Sequence, residues 1–545
     1  MIDIVLFSQL IIFLPIVISI FIYVFNKTKF NYSVFVTQAI ITYVYYDLFN
    51  YILDNGVVKF TLGGWSKVIG IEFKIDTLSL VFMAMALIIW WVIMIYAWHQ
   101  KKNDFKFWFF LMFLEGCFMA FVQANDLFTI FILIEIITIL SAILILYKKD
   151  GISLKAGLYY LLFNSIGMII YLFGVALLYL KVGTLNITMI KGFLLEMDYV
   201  GINYSIIQLS FACFVVSMCV KAALFPVYDW LPRAHTAAPS HISALLSGLL
   251  VKSGLFGLMR ILDLYEITSI NTVLFYLGFF TAISGILFAI SQKDIKGILA
   301  FHTISQIGLI LMSIASGNVE GIVGASMHIF NHFLFKSLLF LGAGIIINEY
   351  GYRRVTEIHG IGRAHPILTA CMFVGIFSIT GAPLFVGFLS KTMIKLTMTS
   401  TLHVNLYRII SLGTMISFIK FSKIFFGEPS KYKKINTGKQ IGVIIMAALC
   451  IIFFFIEIDL VKDMMQIENA LTEGLQYNLK YLTKSLYDNE YALEYLIYLA
   501  LAFMIYKIFV RPNSKFLHAI RHFRFKFQDA IVSLLLFLGF IIYYL

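Results

Sequence analysis

Titratable side chains stand inside long apolar runs at several places in this chain. Glu135 lies in FTIFILIEIITIL, Lys221 in FVVSMCVKAALFP and Lys252 in ALLSGLLVKSGLFGL. His328, His332 and Lys336 follow one another in MHIFNHFLFKSLLF, and Lys391 sits in GAPLFVGFLSKTMI. A charge held within hydrocarbon costs about 2.5–3.5 kcal/mol even on the most lenient scales, so each of these is a functional candidate by default. The i, i+4, i+8 spacing puts His328, His332 and Lys336 on one helix face, spread over roughly 12 Å of axis. A row of titratable groups with water between them is what proton transfer across hydrocarbon needs. Histidine titrates near neutrality, and burial can bring a lysine into range. A carboxylate close to a buried lysine favours its charged form, so Glu135 and Lys221 would form a gating pair if their spans touch.

Plainer readings stand beside these. Lys336 or Lys391 would reach an interface by extending its aliphatic stem. His328 and His332 would serve as packing residues or ligate a haem or metal, although no further ligands cluster near them. Glu115, in FLMFLEGCFMAF, is either a second functional carboxylate or a partner for a neighbouring helix. Glu135 and Lys221 fit the plain readings least, because both sit well away from the span ends.

The elements that must position these residues are membrane spans. The chain has 545 residues, 61% hydrophobic and only 13% charged, with a mean hydropathy of +0.93. A soluble domain is nearer half apolar and a quarter charged. Runs of roughly 20 apolar residues recur from end to end, as at Ile4–Val24, Leu78–Ala97, Leu127–Leu146 and Leu161–Leu180. The first run has no basic residue ahead of it and no small-residue cleavage site, so it reads as a retained span. The count is about 14 spans to Glu457, then two more near Tyr491–Val510 and Gln528–Leu545. Gly56–Asp76 is expected to be an outer connection with a β-hairpin. Asp459–Glu490 is expected to be an amphipathic outer connection.

The net charge of +12 is explained by its placement and calls for no nucleic acid. With the N-terminus outside, the loops on the inner side carry Lys27 and Lys29, then Lys101, Lys102 and Lys106, then Lys148, Lys149 and Lys155. Further along come Arg233, Lys293 and Lys296, then Arg353, Arg354 and Arg363, then Lys431, Lys433 and Lys434. Arg511, Lys515, Arg521, Arg524 and Lys526 complete the set, so the positive-inside rule is broadly met. The five cysteines lie in apolar stretches without a C-x-x-C, which predicts neither disulfides nor an iron–sulfur cluster.

Most of the eight prolines fall in two places: Pro226, Pro232 and Pro239 after one span, Pro366 and Pro383 around another. Proline removes a helix hydrogen bond, and spans broken at corresponding places in two halves are the sign of inverted repeats.

With these blocks in place, the sequence resembles the antiporter-like subunits shared by respiratory complex I, membrane-bound hydrogenases and Mrp-type cation/proton antiporters. It is most similar to the D-subunit type and to the Mrp and hydrogenase branch. The resemblance rests on ANDLFTIFILIE (Ala124–Glu135), KAALFPVYDWLPRAHTAAPSHISALLSGLLVKSGLFGLMR (Lys221–Arg260), QKDIKGILAFHTISQIG (Gln292–Gly308), HIFNHFLFKSLLFLGAG (His328–Gly344) and GAPLFVGFLSK (Gly381–Lys391). It implies an all-α polytopic fold of about 14 transmembrane helices, with two inverted five-helix repeats, broken helices 7 and 12, and about two extra C-terminal spans. The units would be residues 1–105, 106–262, 270–427 and 428–545. The resemblance also implies that Glu135 is the family's fifth-span glutamate, Lys221 its broken seventh-span lysine and Lys252 its eighth-span lysine. His328 to Lys336 would be its histidine-bearing eleventh span, and Lys391 the charge at its broken twelfth span. His302 stands where family members often carry an aromatic, which adds a relay candidate.

The expected function is a proton-translocating subunit of a multi-subunit complex in the prokaryotic cytoplasmic membrane, N-terminus outside. Its partners would be other membrane subunits, the lipid bilayer, H⁺ and, as a further candidate ion, Na⁺. No cofactor is expected on this chain, so any redox chemistry would belong to partner subunits. One alternative is a redox-independent Na⁺/H⁺ antiporter subunit. The other is a structural anchor that moves nothing, for which so many costly buried charges have no use.

Overall fold

The computed structural model describes residues 2–25, 32–98, 100, 104–198, 205–398, 400–428, 432–467, 473–485, 489–510, 514–523 and 526–545. Of the basic residues expected in inner loops, Lys27, Lys29, Lys101, Lys102, Lys431, Arg511 and Arg524 lie outside these.

The chain opens with α1 (Ile2–Phe25) and α2 (Ser33–Asn55), then strands β1 (Val58–Thr61) and β2 (Glu72–Ile75), then α3 (Thr77–Ala97). The strands pair antiparallel, Val58 opposite Ile75 through Thr61 opposite Glu72, which is the hairpin expected at Gly56–Asp76. Next come α4 (Phe105–Gln123), α5 (Leu127–Ile145), α6 (Gly151–Val182), α7 (Ile187–Asp198), α8 (Ser205–Lys221), α9 (Trp230–Ala237), α10 (Ser240–Leu245) and α11 (Lys252–Tyr265). They are followed by α12 (Asn271–Ser291), α13 (Ile295–Ile314), α14 (Val319–Tyr350), α15 (Ile361–Ala364), α16 (Pro366–Thr380), α17 (Val386–Leu396) and α18 (Thr401–Ser422). The C-terminal part holds α19 (Thr437–Ile467), α20 (Glu473–Ser485), α21 (Asn489–Phe509), α22 (Lys515–His522) and α23 (Phe527–Tyr544).

Among the described residues 13 helices are long and apolar enough to cross a membrane, and α8 and α16 are shorter apolar helices. Both shorter helices end at a break, α8 ahead of Pro226 and α16 at Gly381, as the proline pattern predicts. The less apolar α2, 23 residues long, completes the N-terminal group.

Acidic and amide caps set the helix starts. Asp76, Asp104, Asp126, Asp150, Asp294 and Asn318 each accept a hydrogen bond from a backbone N–H in the first turn of α3, α4, α5, α6, α13 and α14. Such caps satisfy donors that would otherwise be orphaned at the membrane face.

A hydrogen-bond clasp occurs twice. The Leu127 N–H donates to Leu185 O and the Ile187 N–H to Asn125 O, both at 3.0 Å. The Ile295 N–H donates to Arg353 O and the Val355 N–H to Lys293 O, both at 2.9 Å. Each clasp ties the start of one helix to the chain after a 32-residue helix, α6 or α14. Both long helices end on a left-handed glycine, Gly183 or Gly351. Every member of the second set follows its counterpart by the same number of residues.

In lipid, apolar burial does not favour helix contact over lipid contact, so close backbone approach through small residues takes over. At the α12–α13 seam a Cβ on Gly308 would lie 2.4 Å from Gly278 O, and one on Gly285 2.6 Å from Ser305 N.

One expectation is corrected. Lys296, counted with the loops, lies in the first turn of α13, 1% exposed, with its Nζ donating to Ala238 O at 2.7 Å. Its helix begins earlier than the hydropathy of the segment suggests. Arg233 lies within the short α9 of its connection, pairs with Asp229 at 2.6 Å and stacks over Tyr159.

Candidate functional site

The five central candidates from Lys221 to Lys336 are all buried in the interior. Lys221 ends α8, is 2% exposed, and its Nζ donates to Thr138 Oγ1 of α5 at 2.6 Å. Its ammonium also lies 5.6 Å from the centre of the Tyr160 ring. Thr138 is three residues along α5 from Glu135, so the two spans do touch. Glu135 is half-buried and accepts from Ser165 Oγ of α6 at 2.9 Å. The Lys221 ammonium and the Glu135 carboxylate do not close an ion pair with each other, so the two are adjacent and separable.

Gly254 of α11 lies against the break after Lys221. A Cβ there would sit 2.4 Å from Ala222 N and 2.7 Å from Lys221 C, so only glycine allows this approach. One turn earlier, Leu246–Leu250 forms a π turn between α10 and α11. Turns of this type recur at functional sites. Lys252, fully buried, donates back to two carbonyls of that turn, Ser247 O at 2.9 Å and Gly248 O at 2.6 Å.

The π turn also connects onward. Ser247 Oγ and Thr303 Oγ1 of α13 lie 2.7 Å apart. Thr303 Oγ1 donates to Leu299 O at 3.2 Å, and the same carbonyl accepts from Lys336 Nζ at 2.7 Å. Lys252 and Lys336 are thereby joined through α13. On α14 the rings of His332 and His328 are 6.2 Å apart. His328 bonds Gln306 Oε1 at 3.0 Å and Ser390 Oγ at 2.9 Å. Both of its ring nitrogens are therefore engaged by protein, which argues against its serving as a metal or haem ligand. Ser390 is the neighbour of Lys391, whose Nζ donates to Ile379 O at 2.6 Å across the α16–α17 break. The contacts thus run in stretches, from α5 to Lys221, from Lys252 through α13 to Lys336, and from His328 to the α16–α17 break; neither ring nitrogen of His332 is bonded among the described residues.

His302 joins the band from the side, its Nε2 at 2.7 Å from Ser417 Oγ of α18. Glu115 lies apart on α4, fully buried and beside Gln38 of α2.

Sequence reasoning passed over three further groups. Glu457, treated only as a span limit, is buried on α19 and accepts from Asn331 Nδ2 at 2.8 and 3.1 Å. That amide also donates to Val386 O at the start of α17. His235 of α9 is fully buried, stacks on Phe340 at 4.9 Å, and has neither ring nitrogen bonded among the described residues. Lys420 reaches Ile290 O at 2.7 Å. For Glu457 and Lys420 the available signal was the same as for the chosen residues, a charge within a helical apolar stretch; His235, in WLPRAHTA, lacked it. Glu457 sits in FFFIEIDL, where the following Asp459 disguises it as a span end.

Outside the spans, Asp76 caps α3 and is clamped by Arg260 of α11, with a second bond from Arg260 Nη2 at 2.7 Å. Burial alone would raise its pKa, but the charge and hydrogen bonds of Arg260, with Lys74 and the Ser79 N–H, outweigh this and hold the carboxyl well below the usual carboxylate range.

Interrupted helices and a buried row of amines and imidazoles define a polytopic membrane protein that handles charge inside the bilayer. Residues 124–420 match the family described as NADH:quinone oxidoreductase/Mrp antiporter, TM, and the chain belongs to that family. It is 30% identical over 447 residues to the D-type subunit of the Na(+)/H(+) antiporter of Alkalihalophilus pseudofirmus, covering 78% of this chain and 88% of the relative. Among solved structures, a chain of the Mrp complex from Dietzia sp. DQ12-45-1b superposes with a TM-score of 0.79 at 20% identity, covering 88% of this chain and 99% of that one. A chain of the membrane-bound sulfane sulfur reductase, an archaeal respiratory membrane complex, gives 0.80 at 24%, covering 86% and 99%. These two likenesses establish the shared fold.

Proposed function

We propose that this chain is the proton-translocating membrane subunit of a multi-subunit complex, and that protons move laterally along Lys221, Lys252, Lys336, His332, His328 and Lys391. Glu135 sets the charge state of Lys221 and couples it to a neighbouring subunit. The observation that carries this reading is that every buried lysine of the row donates to a carbonyl or hydroxyl. Such groups solvate an ammonium and leave it free to give up its proton.

The same reading divides the chain into an N-terminal group (1–105), two repeats (106–262 and 270–427) related by inversion, and a C-terminal part (428–545). The twice-occurring clasp supports the repeats. The setting is the prokaryotic cytoplasmic membrane with the N-terminus outside; partner membrane subunits supply any redox chemistry. In membrane vesicles holding the whole complex, Lys221→Ala should abolish proton movement and leave assembly intact. Undiminished transport in that variant would overturn the assignment.

A second reading, a redox-independent Na⁺/H⁺ antiporter, is favoured by the likeness to the Na(+)/H(+) antiporter subunit of Alkalihalophilus pseudofirmus. Discharge of an imposed pH gradient on adding Na⁺, with no electron donor present, would select it.

A further inference from the structure

The C-terminal span α21 carries an arrangement that the proton row does not use. Most of it faces outward, with Leu493, Leu496, Ile497 and Met504 each about three-fifths exposed. Its polar residues Tyr491, Glu494, Tyr495 and Tyr498 fall at i, i+3, i+4 and i+7, one helical stripe. That stripe turns inward and lines a cavity of about 90 Å³ whose other walls come from α16, α17 and α18. A few tens of Å³ suffice to hold a water, so this volume accommodates several.

Lys391 lines the cavity. One turn nearer the membrane face, Lys395 pairs with Glu494 at 3.1 Å. The Tyr495 hydroxyl bonds Thr380 Oγ1 at 2.9 Å, at the end of α16, and the Tyr407 hydroxyl donates to Lys391 O at 3.1 Å. Arg408 is the remaining charge on the wall. The helix is fixed in this position by Ala502 and Tyr506, which pack with Met415 and Ile416 of α18. A lipid-facing helix has no use for a carboxylate and three phenols on one face unless that face borders water.

We propose that this cavity is the hydrated path between Lys391 and the face where α17 ends and α21 begins, and that Glu494 is the proton-carrying carboxylate at its mouth. A proton leaves the Lys391 ammonium for cavity water, and that water passes a proton to the Glu494 carboxylate. Lys391 is left neutral, and Glu494 then releases its proton at the face. Lys395 keeps its own protons throughout and holds Glu494 in place. The inference rests on the row proposed above, of which Lys391 is the last member.

The test uses the whole complex in sealed vesicles of both orientations. Glu494→Gln should lower the proton transport rate by roughly tenfold or more, as expected for loss of a positioned proton acceptor, and Glu494→Asp should restore most of it. Thr392→Cys should react with a small, charged, membrane-impermeant thiol reagent from one side only, and the label should block transport. The five native cysteines are buried, so the unsubstituted complex provides the background. Wild-type rates in Glu494→Gln would overturn the role of the carboxylate. An assembled complex in which Thr392→Cys is inert from both sides would overturn the hydrated path. The labelling result stands even if the Glu494 variants fail to assemble. It is also independent of the row: full transport by Lys221→Ala would remove the row and leave the labelling as it is.

Discussion

Lys252→Met separates a proton-carrying row from a merely structural one. Methionine keeps the length and most of the volume of lysine and removes only the ammonium. The structure sets what is lost: two hydrogen bonds, at 2.9 and 2.6 Å, to carbonyls of the π turn. Charge-assisted bonds are worth about 1.5–3 kcal/mol each, so roughly 3–6 kcal/mol of favourable interaction disappears. Against this, an ion is no longer buried, and that cost is itself several kcal/mol. The two nearly cancel, and the variant should fold and assemble within about 2 kcal/mol of the parent. Transport should behave differently. The link from the α8 break to Lys336 runs through this turn, and removing a positioned proton carrier costs about 10²–10⁴ in rate. The assay is the initial rate of pH-gradient formation or discharge in vesicles, normalised to assembled complex on a native gel. A normally assembled Lys252→Met complex that transports at the parent rate would refute the row and favour the anchor.

Further outcomes follow from the same contacts. Glu135→Gln should leave assembly intact and lower transport by roughly tenfold or more, because Ser165 can still donate to the amide oxygen; an unchanged rate would remove Glu135 from the mechanism. Arg260→Ala should destabilise the fold by about 3–5 kcal/mol, since it leaves the buried Asp76 carboxylate without its guanidinium clamp, and an unchanged apparent melting temperature in detergent would count against the clamp. Because the folded-state pKa of Asp76 is depressed, its stabilisation is complete above the ordinary value of 3.8 and is lost as pH falls below it. The Asp76→Asn variant should lack that acid-side loss in melting measurements. Asn331→Leu strands the Glu457 carboxylate and Val386 O together, a cost of about 1–3 kcal/mol or more for each group, and should reduce the assembled complex seen on a native gel.

The spans, the breaks and the placement of the seven candidate residues within helices were legible because each rests on a local contrast of charge or proline against hydrocarbon. The hairpin and the amphipathic α20, whose Leu475, Leu479 and Leu482 are buried, were legible for the same reason. Lys296 was misread because it stands one residue after the start of α13, where a hydropathy window averages loop and helix. Glu457 was missed because Asp459 follows it, and only the partner Asn331, 126 residues away, shows that one acid turns in and the other out. The π turn left no mark at all. LLSGLLVKSG carries no signal for an extra residue in a turn, and it is in the fold that α10 and the turn itself pack against α14.

What ties these buried lysines together is the nature of their partners. Lys252, Lys296, Lys336, Lys391 and Lys420 each donate to a backbone carbonyl, and Lys221 donates to a hydroxyl. Ion pairs on lysine occur instead near the faces, as at Lys395–Glu494 and Lys439–Glu349. The difference has a consequence for transfer. A bound carboxylate would favour the charged lysine by its full Coulomb attraction, which is large in a low-dielectric interior. A carbonyl is a dipole that accepts a hydrogen bond from an ammonium or from a neutral amine, so loss of the proton does not break the contact. In a regular helix few carbonyls are free to play this part, because each is already engaged four residues on. The π turn at Leu246–Leu250 and the end of α16 at Ile379 are where the regular ladder is interrupted, and Lys252 and Lys391 take their acceptors there. At Lys252 and Lys391 the breaks thus solvate an amine without neutralising it, while Lys336 takes Leu299 O within α13. It follows that a new carboxylate beside a row lysine should be more harmful than a new apolar group. Ser337→Asp, next to Lys336 and facing Gly248, should therefore stop transport by trapping the charge, while Ser337→Ala should transport near the parent rate. Equal activity of the two assembled variants in the vesicle assay would show that the partners of the lysines do not matter.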